Sequence, residues 1–254
     1  MSLFDLTGKI ALITGSSRGI GKAIAGAMAM QGAKVVISSR KQDACDAVAA
    51  EINEKHGEGT AIAVAASISD KAALEELVRQ TEAQLGPVDI LVCNAASNPY
   101  YGPMEGISDE QFEKILSNNI ISNHWLSQLV LPGMIERKDG AIVIISSIGG
   151  LKGSDSIGVY NISKAADFQL ARNYAVEYGQ HNIRTNCIAP GLIRTDFAKA
   201  LWQNEEAEKR FNTQHPMRRM GLPEDIAGAA VFLGSRAGAY VNGQTIVVDG
   251  GSVI

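Results

Sequence analysis

KIALITGSSRGIG, residues 9 to 21, carries a short apolar, β-prone run directly into a glycine turn, after which Ile20, Ile24 and Met28 recur at helical spacing up to Gly32. Strand, glycine turn and helix in that order open an α/β chain, and the alternation continues. KVVISSR (34–40) is a buried-type strand followed by a helix with Ala44, Val48 and Ile52 on one side, ending near Gly57. TAIAVAAS (60–67) is a third strand, and Ser69 is placed to cap a helix carrying Leu74, Leu77, Val78 and Leu85 before Gly86-Pro87 stops it. VDILVCNA (88–95) is a fourth strand. After a loop (97–107), Ser108-Asp-Glu-Gln111 has capping-box form and opens a long helix to about Arg137. That helix is apolar on more than one side, as burial against both the sheet and a second subunit would require, or as a wide intramolecular face would.

AIVIISS (141–147) is a fifth strand, followed by a glycine-rich loop and a helix containing Tyr160 and Lys164. NIRTNCIAPG (182–191) is a sixth, and QTIVVDGG (244–251) a closing strand after a helix that starts at Pro223. Between them, residues 192–222 hold charges with Phe197, Trp202 and Phe211, and are expected to form a mobile helical insertion that closes over substrate. Each strand is a continuous apolar run, which argues for a parallel sheet covered on both faces, and right-handed crossovers make it doubly wound. At 254 residues, 46% hydrophobic, the whole chain is expected to form one domain.

A formal net charge of −4 gives no electrostatic case for binding nucleic acid or anionic membrane, so a small-molecule ligand is favoured. Cys45, Cys93 and Cys187 lie far apart without a CxxC pair, and an odd number suits a reducing compartment. Neither a signal peptide nor a membrane span is indicated, and a cytoplasmic location follows by default. No metal-ligand pattern is picked out.

The glycine turn brings backbone N–H groups close to a pyrophosphate, with the positive end of the helix dipole behind them. Its GxxxGxG spacing differs from the commoner GxGxxG fingerprint. About 20 residues on, where a carboxylate would accept from a ribose hydroxyl and repel a 2′-phosphate, the chain has Ser38-Ser39-Arg40-Lys41 and no acid. Arg18 adds a second cation that could close on the same phosphate. These residues favour NADP(H), with NAD(H) possible if Arg18 and Arg40 are merely solvated.

Tyr160-Asn-Ile-Ser-Lys164 pairs a phenol and an ammonium on one helix face. A phenol with a pKa of roughly 10 shuttles protons poorly near neutrality, and a neighbouring cation lowers that value. Alone the pair is also what many solvated helices carry.

With Thr14-Gly15-xxx-Gly19-x-Gly21, Asn94-Ala95-Ala96, Asn119, Ser147, Tyr160-xxx-Lys164 and Pro190-Gly191 in this order, the chain resembles the short-chain dehydrogenase/reductase family over nearly its whole length. The Ser-Ser-Arg-Lys segment is further similar to NADP-dependent carbonyl and retinal reductases within it. The resemblance implies a Rossmann-type sheet of about seven strands and a homotetramer. It implies Tyr160 as proton donor to a carbonyl, Ser147 orienting the same oxygen, and Lys164 lowering the Tyr160 pKa and binding the nicotinamide ribose. Asn119 would hold, by its backbone carbonyl, a water connecting Lys164 to solvent. Gly15, Ser17, Arg18, Gly19, Ile20 and Gly21 would cradle the dinucleotide, with Ser39, Arg40 and Lys41 at its 2′-phosphate. Asn94 and Ala95 would border it, and Pro190, Gly191, Ile193 and Thr195 would lie along the nicotinamide. The family's adenine-contacting aspartate is replaced by Ser67, leaving contact to the Ile68 backbone, and an Asn-Asn-Ala-Gly segment reads Cys93-Asn94-Ala95-Ala96, acceptable where Ala96 has negative φ.

The resulting expectation is an oxidoreductase acting on a carbonyl or alcohol substrate. A nucleotide-binding sensor without catalysis and a lyase or epimerase are the competing classes. Tyr100, Tyr101, Phe197 and Trp202 either line an apolar pocket or pack against one another.

Overall fold

The computed structural model describes residues 2–198, 202 and 205–254. Positions 199–201 and 203–204 of the insertion expected at 192–222 lie outside them. Seven strands form one parallel sheet: β1 (Ile10–Thr14), β2 (Lys34–Ser38), β3 (Ala61–Ala63), β4 (Ile90–Cys93), β5 (Gly140–Ile145), β6 (Ile183–Pro190) and β7 (Thr245–Val248). Their order is β3-β2-β1-β4-β5-β6-β7. The reversal lies between β1 and β4, paired at Ile13 and Val92, and there the carboxyl ends of neighbouring strands open a crevice.

Side chains alternate across the sheet and build two cores. Ala11, Ile13, Val35, Ile37 and Val92 face α1 (Gly19–Met30), α2 (Gln42–His56) and the late helix Pro223–Gly234, where Ile24, Met28, Ile226 and Ala230 join them. Leu12, Val36, Leu91, Ile142 and Ile144 point the other way. They meet Leu74 and Leu77 of α3 (Lys71–Gln84), Leu126 and Val130 of the long helix, and Phe168. Burying each such aliphatic side chain contributes about 1.5–3 kcal/mol before conformational entropy is subtracted. Both faces are therefore covered, as continuous apolar strands require.

Three elements depart from expectation. β3 spans only 61–63, although Val64 and Ala66 still donate backbone bonds to Ile37 and Ser39. α3 is capped by Asp70, whose carboxylate accepts from the Ala72 and Ala73 amides, because Ser69 Oγ is paired with Ser67 Oγ at 2.8 Å. The long helix does open on the Ser108/Gln111 capping box, but it is α4 (Asp109–Leu116), a π turn (Ser117–Ile121) and α5 (Ser122–Arg137). α6 (Gly158–Tyr178) carries Tyr160 and Lys164, and α7 (Glu205–Gln214) lies within the insertion. The late helix, Pro223–Gly234, is α8. Cys45, Cys93 and Cys187 are buried free thiols. Among the described residues no helix is long and apolar enough to cross a membrane, and no group of side chains is arranged to hold a metal ion.

Candidate active site

A crevice of about 1590 Å³ runs along the carboxyl edge of the sheet. Single drug-sized ligands occupy pockets of about 300–1,000 Å³, so this one has room for a dinucleotide and a substrate together. Every site residue picked out above borders it except Gly21 and Asn119. Gly21 packs instead: a Cβ there would stand 2.5 Å from the Gly15 carbonyl oxygen. Asn119 is fully buried in the π turn, its amide bonded to the Ser97 backbone and Ser163 Oγ.

The floor of the crevice is built around the glycine turn. Gly15 (φ +66) and Gly19 (φ +57) are left-handed, a conformation open to glycine at little cost. Asn94 Nδ2 donates to the Thr14 and Gly15 carbonyls at 2.8 and 3.1 Å, while Thr14 Oγ1 accepts from the Asn94 and Ala95 amides. The ends of β1 and β4 are thereby locked together under the turn. α1 starts without a side-chain cap or an acidic first turn, so its amino-terminal N–H groups fit a pyrophosphate. Arg40 and Lys41 are exposed at the end of β2, whereas Arg18 is paired with Asp196 at 3.2 Å. The Ser67 hydroxyl is directed to Ser69. Positive φ outside glycine is confined, among the described residues, to Lys138, Asn182 and Arg218, so Ala96 takes the negative φ it needs.

At the other end, Ser147 follows β5 and accepts from the Gly149 amide at 3.0 Å, which leaves its hydroxyl hydrogen to donate toward Tyr160. Ser146 Oγ donates to the Lys164 carbonyl at 2.7 Å and so ties the end of β5 to α6. The Lys164 ammonium lies 5.6 Å from the centre of the Tyr160 ring and donates to the Ile145 carbonyl and Asp167. Burial pushes the Tyr160 phenol above its ordinary value; Lys164 pulls it down, Asp167 pushes it up and Ser147 favours the ionised form. The net direction is upward, against the lowering that Lys164 alone would give. Burial would depress Lys164, but Asp167 and Tyr160 outweigh it and hold the ammonium above its usual range.

The four aromatic residues do not form one cluster. Phe197 packs 6.0 Å from the Tyr160 ring and Tyr101 borders the crevice. The Tyr100 hydroxyl donates to the Pro103 carbonyl, and the Trp202 indole donates to Thr195 beneath the Arg194 guanidinium. Asp167 and Asn123 escaped the sequence reading. Their one signal was an acid three residues after Lys164, on a helix face that is otherwise apolar at Phe168 and Ala171.

A family model described as enoyl-(acyl carrier protein) reductase matches residues 15–252. Dehydrogenase/reductase SDR family member 4 of Rattus norvegicus is 41% identical over 97% of this chain and 88% of its own length. The structure of 7α-hydroxysteroid dehydrogenase complexed with NADH and 7-oxo glycochenodeoxycholic acid has a TM-score of 0.93 at 39% identity, covering 98% of this chain and 96% of that one. Gluconate 5-dehydrogenase from Burkholderia cenocepacia, in complex with NADP and tartrate, gives 0.92 at 30% identity, covering 98% and 96%.

Proposed function

The chain belongs to the short-chain dehydrogenase/reductase family and is an NAD(P)-dependent oxidoreductase; from that premise we propose that it moves a hydride between NADP(H) and a carbonyl/secondary-alcohol pair, with Tyr160 as general acid/base. The observation that carries this reading is that the glycine turn, Ser147, Tyr160 and Lys164 border one continuous crevice. When bound, the nicotinamide supplies the hydride chemistry, and the chain's part is to bind, orient and move a proton. In reduction the carbonyl oxygen takes the Tyr160 proton while the Ser147 hydroxyl donates to the same oxygen. In oxidation Tyr160 accepts the alcohol proton. Lys164 would hold the nicotinamide ribose, and Pro190, Gly191, Ile193 and Thr195 would lie along the ring. Positioned acid/base groups of this kind commonly contribute about 10²–10⁴ in rate.

Solved relatives hold NADH in one case and NADP in another, so the cofactor preference rests on this chain's own residues. Ser39, Arg40 and Lys41 stand where an acid would repel a 2′-phosphate, which favours NADP(H). Residues 192–222 act as a substrate lid on one dinucleotide-binding and catalytic domain. In support, both ends of that segment are tied together, Gly221 N donating to the Leu192 carbonyl at 3.0 Å and Arg194 N to the Gly221 carbonyl at 2.9 Å, and Phe197 faces Tyr160. Exposed Ile121, Ile162 and Val176 favour assembly with further copies, as a homotetramer, which sedimentation tests. The function is tested by following reduced nicotinamide absorbance across ketones, aldehydes, quinones and 3-oxo thioesters. Consumption with one carbonyl class is expected, faster with NADPH than NADH; no consumption with any of them would overturn the reading.

A further inference from the structure

Lys164 does not stand alone beneath the crevice. Its ammonium donates to Asp167 Oδ2 at 3.0 Å, and the two side chains are 2% and 0% exposed. Tyr160, Lys164 and Asp167 follow one another at four and three residues and share one face of α6. The second carboxylate oxygen accepts from Asn123 Nδ2 at 3.1 Å, and the same amide donates to the Asn119 carbonyl at 2.6 Å. The carbonyl that family resemblance gives to a water is therefore bonded by a side chain of this chain. From Lys164 to Asn119 the hydrogen-bonded path runs through Asp167 and Asn123.

Packing gives no reason for an acid here. A buried ion pair is at best level with apolar residues of the same volume, since both charges lose their hydration. The other groups facing Asp167 or its backbone are Tyr160 on α6, Ser146 after β5, Cys93 on β4 and Cys187 on β6, whose thiol lies 3.3 Å from the Asp167 carbonyl. Burial pushes both thiols up and keeps them neutral. Among the described residues, the charge that meets Asp167 directly is that of Lys164.

Building on the acid/base reading of Tyr160, we propose that Asp167 is a positioning residue for proton transfer: it fixes the Lys164 ammonium and joins it through Asn123 to the Asn119 carbonyl. The Asp167 charge also opposes the pull of Lys164 on the phenol and so favours its protonated form, the one that acts as an acid. As a base toward an alcohol, Tyr160 needs a higher pH than a phenol facing an unopposed lysine.

Asp167→Asn keeps the shape of the side chain and removes its charge. Its kcat/KM for alcohol oxidation, measured against pH, is expected to show a kinetic pKa about one unit or more below that of the unmodified enzyme. An unshifted pKa, with or without a uniform loss of rate, would overturn the proposal. Should the variant not fold, Asp167→Ser carries the same measurement, and Asp167→Glu, which keeps the charge, is expected to return the kinetic pKa to that of the unmodified enzyme; a Glu variant shifted as far as the uncharged one would overturn the proposal. Retained turnover in Tyr160→Phe would remove the premise instead, a result separable from either pH outcome.

Discussion

Arg18 and Asp196 are 178 residues apart in sequence, yet their side chains pair at 3.2 Å across the mouth of the crevice. One belongs to the glycine turn and the other to the segment that follows β6. On the proposed NADP(H) reading, a cofactor 2′-phosphate would draw Arg18 away from this carboxylate, and both partners are about two-thirds exposed, so the competition is a mild one. Asp196→Asn is expected to lower the KM for NADP(H) by about two- to five-fold while leaving that for NAD(H) unchanged. Equal changes for both cofactors would show that Arg18 does not meet the phosphate.

Gly21 packs against the glycine turn without bordering the crevice. A Cβ at this position would lie 2.5 Å from the Gly15 carbonyl oxygen and 2.6 Å from Asn94 Nδ2, so α1 has to lift off the turn. Gly21→Ala should cost about 1–3 kcal/mol of unfolding free energy and weaken cofactor binding as the turn is displaced. Chemical denaturation and calorimetric titration measure the two effects. Unchanged stability and affinity would contradict the packing role.

Glu51 joins α2 to α1 by accepting from Lys22 at 2.6 Å, and it also accepts from Lys55. These two lysines hold its carboxyl at about 2, below the ordinary 4.5. A depressed folded pKa means stability that is present above the unfolded value and lost as pH falls through the folded one. The Lys22 pair is largely solvated, which limits its worth to about 1 kcal/mol at most. Glu51→Gln should therefore lower the urea midpoint slightly at neutral pH, and the difference should disappear between about pH 4.5 and 2. A difference that persists in acid would show that the substitution acts through packing.

The strands and the glycine turn were legible because local patterns report them: apolar runs such as IALIT and KVVIS, left-handed glycines at 15 and 19, and the Ser108/Gln111 cap. What escaped depends on neighbours distant in sequence or on one residue of backbone phase. Ser69 and Asp70 are both capping types, and only the competing Ser67 hydroxyl decides between them. The π turn at 117–121 leaves no mark on the apolar spacing, yet it is where side chains reach the Asn118 and Asn119 carbonyls. An acid three residues after a lysine is ordinary on a solvated helix, so Asp167 became informative only once its burial was known. The partner of Arg18 could not be found by spacing at all.

The central claim is that Tyr160 carries the proton, and it is tested most directly by Tyr160→Phe, assayed for turnover and for cofactor affinity on the same preparation. The substitution removes only the hydroxyl at the crevice, so kcat should fall by at least about 10²–10⁴ while NADP(H) binding stays close to that of the unmodified enzyme. Turnover retained with normal cofactor binding would contradict it.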